Sequence, residues 1–149
     1  MKIRKYVSSD CKRLSELFYD TVHTINVKDY TKKQLEVWTM IDLNKWNQSF
    51  QEHISLVAVK DKIIVGFGDI DKTGYIDKLF VHKNYQRMGI ATAICDKLEQ
   101  MVTAKKITVQ SSITAKVFFE KRGFYVVKKQ QVEKQGIYFI NYAMEKSGH

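Results

Sequence analysis

Between Tyr75 and Met101 the hydrophobic period changes once, from two to about 3.6, and the change falls on a short loop of small and polar residues. Tyr75-Ile76-Asp77-Lys78-Leu79-Phe80-Val81 reads as a strand, and Ile90, Ile94, Leu98 and Met101 form the buried stripe of the helix that follows. A strand running straight into an amphipathic helix restricts the fold more than any other feature of the chain, and it places the protein in the α/β class. The connecting loop is Gln86-Arg87-Met88-Gly89-Ile90-Ala91. The first turn of a helix offers unpaired N–H groups and the positive end of the macrodipole. Gly89 and Ala91 let phosphate oxygens approach the backbone, while Gln86 and Arg87 add a donor amide and a positive charge. The loop is therefore a candidate anion site suited to a pyrophosphate.

Flanking segments supply the rest of a mixed sheet. Ile3 and Tyr6 sit in a short first strand. A helix capped by Ser8, Ser9 or Asp10 carries Leu14, Leu17, Phe18, Val22 and Ile25 on one side. Thr31 caps a second helix with Leu35 and Trp38, and residues 42–52 read as a third. Leu56 to Phe67 forms a hairpin about Asp61-Lys62, and Asp71 to Gly74 is the next turn. Ile107-Thr108-Val109 is a strand, Ala115 to Lys121 a short helix stopped by Gly123, and Phe124 to Met144 a closing hairpin across Glu133 to Gly136. The expected order is β-α-α-α-β-β-β-α-β-α-β-β, without a linker, as one domain over residues 1–149.

Charge and cysteine usage narrow the function. Lys and Arg number 25 against 16 Asp and Glu, a net of +9. Such a balance favours polyanions or a phosphorylated cofactor. The basic residues are scattered as pairs such as Lys32-Lys33 and Lys105-Lys106, with no basic arm or nucleic-acid motif. Cys11 and Cys95 form neither a disulfide framework nor a metal-ligand cluster, so no metal is expected. No apolar run reaches the ~20 residues a membrane-crossing helix needs, and the start of the chain lacks a signal-peptide core. A cytoplasmic location is expected.

Two strings in order, Leu79-Phe80-Val81 with Gln86 to Ala91 and Ser112-x-x-Ala115-x-x-Phe118-Phe119-Glu120-Lys121-x-Gly123-Phe124, resemble the GNAT superfamily of N-acetyltransferases over almost the whole chain. Thr21-Val22-His23 and Asn141 to Lys146 resemble its YafP-like bacterial branch. The resemblance implies a central, mostly antiparallel sheet splayed after Val81 to admit acetyl-CoA. It implies that the backbone of Arg87, Met88, Gly89, Ile90, Ala91 and Thr92 holds the pyrophosphate. Leu79, Phe80 and Val81 would pair with the pantetheine arm, one of their N–H groups polarising the thioester carbonyl. Ser112 stands at the usual Asn position, and Phe118 and Phe119 would pack beside the cofactor. Phe119 replaces the Tyr that in many members protonates the departing thiolate, which leaves that role vacant or open to Tyr85, Tyr125, Tyr138 or Tyr142.

Acetyl transfer needs a neutral amine, hence a proton acceptor or a water path. Strand alternation puts Tyr75, Asp77, Leu79 and Val81 on one face, which makes Asp77 the leading base; its structural alternative is pairing with a lysine. His82 follows the strand with a pKa in the useful range. His23, Tyr30 and Trp38 are acceptor-site candidates, with helix capping or core packing as their structural roles. The expected acceptor is a primary amine of a small molecule or peptide, attacked directly, and a homodimer is allowed. The rivals are a non-catalytic acyl-CoA sensor, favoured by Phe119, and a basic nucleic-acid-binding domain, favoured by charge alone.

Overall fold

The computed structural model describes residues 1–148. Its first half contains β1 (Lys2–Lys5), α1 (Cys11–Ile25), α2 (Lys32–Trp38), α3 (Leu43–Glu52), β2 (Ile54–Lys60), β3 (Ile63–Ile70) and β4 (Tyr75–Val81). Its second half contains α4 (Ile90–Gln100), β5 (Lys106–Ser112), α5 (Lys116–Lys121), β6 (Tyr125–Lys134) and β7 (Ile137–Ser147). The strands make one seven-stranded sheet in the order β1-β2-β3-β4-β5-β7-β6. Every neighbouring pair is antiparallel except β4–β5.

Local chemistry sets the element ends. Thr31 and Gln34 form a reciprocal capping box on α2, with 2.8 and 3.1 Å bonds. Asp42 caps α3 by accepting from the Asn44 and Lys45 N–H groups. Asp61 and Lys62, with φ of 52° and 65°, and Gln135 and Gly136, with φ of 53° and 75°, make the two-residue hairpin turns. The expected side-chain cap of α1 is absent. The Asp10 carboxylate instead pairs with the Arg4 guanidinium at 2.8 and 2.9 Å and accepts from the Val7 N–H. A charged, two-pronged partner holds the carboxylate more strongly than a helix N–H does, so β1 is clamped to the start of α1.

The helices cover both faces of the sheet. On one face α4 and α5 bury Leu56, Ile70, Ile94, Leu98, Ile107, Phe119 and Met144. α4 comes close because Gly66 and Gly68 stand beneath it. A Cβ at either would meet Ile90 or Ile94 methyl carbons at 3.0 Å. On the other face α1, α2 and α3 enclose Phe18, Tyr30, Phe50, Phe67 and Phe139, with Trp38, Trp46 and Phe80 against them.

The fork opens earlier than expected. β4 and β5 pair only at Tyr75–Thr108 and Ile76–Val109, so they part after Ile76 and not after Val81. A bulge causes the divergence to coincide with Asp77. Lys78 pairs with Asp69 and Ile76 with Ile70, leaving Asp77 unmatched on β3.

Candidate active site

The fork has a backbone rim on β4. Lys78 turns its N–H toward β3, where Asp69 Oδ1 accepts it at 2.8 Å. Alternation from Lys78 onward then turns the Leu79 N–H into the gap vacated by β5. The Leu79 and Val81 side chains pack on the α4 face, and Phe80 packs among the aromatic rings of the opposite face. The Val81 carbonyl is fixed from two sides, by Thr21 Oγ1 at 3.0 Å and Gln86 Nε2 at 2.7 Å.

The Gln86 amide is thus spent on the end of β4, with a second contact to the His82 carbonyl at 3.3 Å. It braces the loop and is not a free donor. Arg87 and Gly89 have φ of 59° and 81°, and Gly89 is the N-cap of α4. The left-handed turn at Gly89, which glycine adopts without a Cβ penalty, leaves the first N–H groups of α4 facing outward. Arg87, Met88, Gly89 and Thr92 are exposed, Ala91 is half-buried and Ile90 is buried. The loop therefore presents backbone and one guanidinium to solvent, while Ile90 anchors it in the core.

Across the fork, Ser112 ends β5 and its hydroxyl accepts from the Ala115 N–H at 3.1 Å, which starts α5. Phe119 is 3% exposed, packed edge-on to Phe118 and Phe124 at 5.1 and 5.2 Å. It is a core residue with no proton to give. Of the four candidate tyrosines, Tyr125 and Tyr138 are each 56% exposed on the outer hairpin. Tyr85 and Tyr142 are half-buried against the α4-face core.

Asp77 requires a correction. The bulge breaks the alternation, so Ile76, Leu79 and Val81 share the α4 face and Asp77 leaves it. Its carboxylate lies on the aromatic face, 2.7 Å from the Lys78 ammonium. That ammonium also pairs with Asp69 at 3.1 Å and Ser49 at 3.0 Å, and sits 4.6 Å over the Phe50 ring. Asp69 is fully buried and holds His53 Nδ1 at 2.8 Å. The hydrogen bond to Asp69 raises the His53 pKa above its ordinary value. His53, Asp69 and Asp77 offer ligand atoms within 4.8 Å of one another, but Lys78 already supplies the cation among them. Sequence reasoning passed over Asp69 and His53 because they are distant from both motifs. The polar Asp69 in an otherwise apolar strand was the available signal.

Tyr75 begins β4 beside these carboxylates. Burial, then Asp77, Asp69 and Asp71, push its phenol up to about 12, so it keeps its proton at neutral pH. His82 accepts the Asn84 N–H on Nδ1 at 3.1 Å, and burial together with Arg13 and Lys83 lowers its pKa.

The acceptor candidates divide. Tyr30 and Trp38 meet with ring centroids 5.2 Å apart and wall a cavity of about 200 Å³ beside the outer end of β5. The Tyr30 hydroxyl accepts the Ile113 N–H at 2.8 Å, and burial raises its pKa. His23 lies outside this cavity. It stacks on Tyr19 at 4.1 Å and bonds Thr39 Oγ1 at 3.0 Å, so it ties α1 to α2 and caps neither.

The parallel strands β4 and β5 part beside the glycine-led terminus of α4. Residues 26–146 match the family described as the acetyltransferase (GNAT) domain, and the chain belongs to that family. The uncharacterized N-acetyltransferase YafP of Escherichia coli (strain K12) is 36% identical over 145 residues, 97% of this chain and 94% of YafP. A GCN5-related N-acetyltransferase from Rhodopseudomonas palustris superposes with a TM-score of 0.95 at 28% identity, covering 98% of this chain and 94% of that one. PaiA N-acetyltransferase from Thermoplasma acidophilum, solved with coenzyme A, shares the fold at a TM-score of 0.80 and 17% identity, with 98% of each chain covered. Among the described residues no helix is long and apolar enough to cross a membrane.

Proposed function

We propose that the protein transfers the acetyl group of acetyl-CoA to a primary amine by direct attack, without a covalent enzyme intermediate. The observation that carries this reading is the Leu79 N–H turned into the fork, with the α4 terminus at its mouth. Backbone amides of Arg87 to Thr92 would hold the pyrophosphate, with the Arg87 guanidinium beside them. The pantetheine arm would lie along the free edge of Leu79-Phe80-Val81, so that the Leu79 N–H donates to the thioester oxygen as charge gathers there. That PaiA was solved with coenzyme A supports the cofactor class. Ser112 and Phe118 would border the arm from the β5 side.

Asp77 is the proposed base, for a reason other than alternation. The bulge places its carboxylate on the face that also carries the Trp38–Tyr30 cavity, at the point where β4 and β5 separate. The Lys78 ammonium fixes it there and is itself held by Asp69 and Ser49. The amine proton would pass to Asp77 directly or through one water, and the thiolate would be protonated by solvent or by the departing ammonium proton. The Tyr75 phenol, pushed up to about 12, keeps its proton at neutral pH and is not the base.

An amine panel with detection of free CoA tests the reading. Asp77→Asn keeps the shape and should lower turnover by about 10²–10⁴-fold, with acetyl-CoA affinity unchanged and with partial recovery at high pH. Wild-type turnover in Asp77→Asn would move the base to His82, His23 or a water chain. Acetyl-CoA binding without turnover of any amine would favour the acyl-CoA sensor.

A further inference from the structure

We propose that the buried Asp69 of β3 is a positioning residue for the reaction. Acting through the Lys78 ammonium, it holds the Asp77 carboxylate in place and keeps the ammonium from closing on Asp77 as an exclusive ion pair. The inference deepens the acetyltransferase reading and rests on Asp77 as its base.

The Lys78 ammonium is the hub. An ammonium has three N–H donors, and three acceptors meet this one. They are Asp77 Oδ2 at 2.7 Å, Asp69 Oδ2 at 3.1 Å and Ser49 Oγ at 3.0 Å. The nitrogen also stands 4.6 Å over the Phe50 ring and 5.8 Å over that of Trp46. β4, β3 and α3 therefore hold one cation among them, and the Lys78 side chain is 10% exposed. A carboxylate bonded to so fixed a cation has a fixed place of its own.

The two carboxylates differ in access. Asp69 has no exposed side-chain surface. Its Oδ1 accepts the Lys78 backbone N–H at 2.8 Å, and its Oδ2 holds both the ammonium and His53 Nδ1. It thus anchors the backbone beside the bulge and the side chain of the same lysine. The Asp77 side chain is 32% exposed where β4 leaves β5. Of the pair, Asp77 is the one that a substrate proton can reach.

Charge links the two. One ammonium shared by two carboxylates neutralises neither fully, so a proton arriving at Asp77 relieves their repulsion. Without Asp69 the ammonium would belong to Asp77 alone and would oppose that proton. Without Lys78 the two carboxylates would stand together unbalanced. The other groups around Asp77 are His53, Tyr75 and Asp71. Tyr75 keeps its proton and His53, raised by Asp69, stays charged across the range where carboxylates titrate. Burial raises Asp71 but is outweighed by the bonds from Thr73 and the Tyr75 N–H, so it ionises below the usual carboxylate range.

The test follows kcat/KM against pH in the wild type, Asp77→Asn, Asp69→Asn and Lys78→Met, with whichever amine the panel yields. The acid limb should vanish in Asp77→Asn. It should move down by about one unit in Asp69→Asn and up by about one unit in Lys78→Met, with the acetyl-CoA KM unchanged in both. The weaker base should also lower kcat about tenfold in Asp69→Asn. A pair that only held the fold together would reduce activity without moving the limb in opposite directions. Asp69→Asn/Lys78→Met removes both charges at once, so it serves where a single variant does not fold, and its limb should lie near that of the wild type. A limb that survives Asp77→Asn removes the base reading and the inference with it. A limb that Asp77→Asn abolishes overturns the inference alone if it stays put or moves the same way in both single variants, or shifts by a unit or more in the double variant. Should no amine turn over, carbon-13 NMR titration of the Asp77 carboxyl, assigned by its loss in Asp77→Asn, reads the same shifts. Opposite movements support the shared ammonium, and equal or absent movements overturn it.

Discussion

The two faces of the sheet are built from different materials. Beneath α4 the packing is mostly aliphatic, Leu56, Val65, Ile70, Ile94, Leu98 and Ile107, with Gly66 and Gly68 letting the helix settle on the strands. Beneath α1 to α3 aromatic rings are interleaved with the aliphatic side chains, and Phe18, Trp38, Trp46, Phe50, Phe67 and Phe80 are in mutual contact. The aliphatic face fixes one helix terminus against one strand, which is what a backbone-lined cofactor cleft needs. The aromatic face encloses the cavity and the Asp69–Lys78–Asp77 cluster, both built from side chains. If this division is right, damage to the first face should be read in cofactor binding and damage to the second in the acceptor and the proton.

Phe119→Ala should be the most severe change. Removing a 3% exposed ring from the aliphatic core costs about 3–5 kcal/mol and should weaken acetyl-CoA binding as α5 loosens. Equilibrium denaturation gives the first and calorimetry the second. Phe119→Tyr should fold, because the ring is kept. An alanine variant of unchanged stability would show that the ring is not part of this core.

Gly89→Glu comes next. A side chain at Gly89 meets open space, so the fold should survive the strain of φ 81°. Acetyl-CoA at a hundred times its Kd stabilises a native protein by about 2.7 kcal/mol, and this thermal shift should vanish when negative bulk stands at the helix terminus. A normal shift would move the pyrophosphate elsewhere.

Trp38→Ala tests the other face. The acceptor KM should rise about tenfold through loss of one aromatic wall, while the acetyl-CoA shift stays as in the wild type. A parallel loss of acetyl-CoA affinity would break the division between faces.

The smallest effect concerns pH. His53 has a pKa raised above 6.5, chiefly by its bond to Asp69. Its charged form is therefore favoured by folding. The stabilisation is complete below the unfolded value of 6.5 and is lost as pH rises through the folded value. His53→Gln should flatten that part of the stability–pH curve. A slope that persists in the variant belongs to another group.

The sequence alone determined the class of fold, the strand–loop–helix unit and the glycine turn that starts α4. Those features depend on local signals: hydrophobic period, glycine at the helix start, turn pairs such as Asp61-Lys62, and the cap at Thr31. Backbone-built sites are legible in this way because the residues that form them are contiguous. Tertiary structure decided what depends on partners from afar. Arg4 took the Asp10 carboxylate from its helix, and Val81 took the Gln86 amide of the loop before α4. A single unmatched residue in β4 carried Asp77 to the aromatic face, a shift that period-two reasoning cannot see because a bulge leaves composition untouched, and β4 parts from β5 at the same place. The cavity joins Tyr30, Trp38, Phe139 and Asn141 from three separate elements and loops, so its shape exists only once β7 lies beside β5 and α2 closes over them.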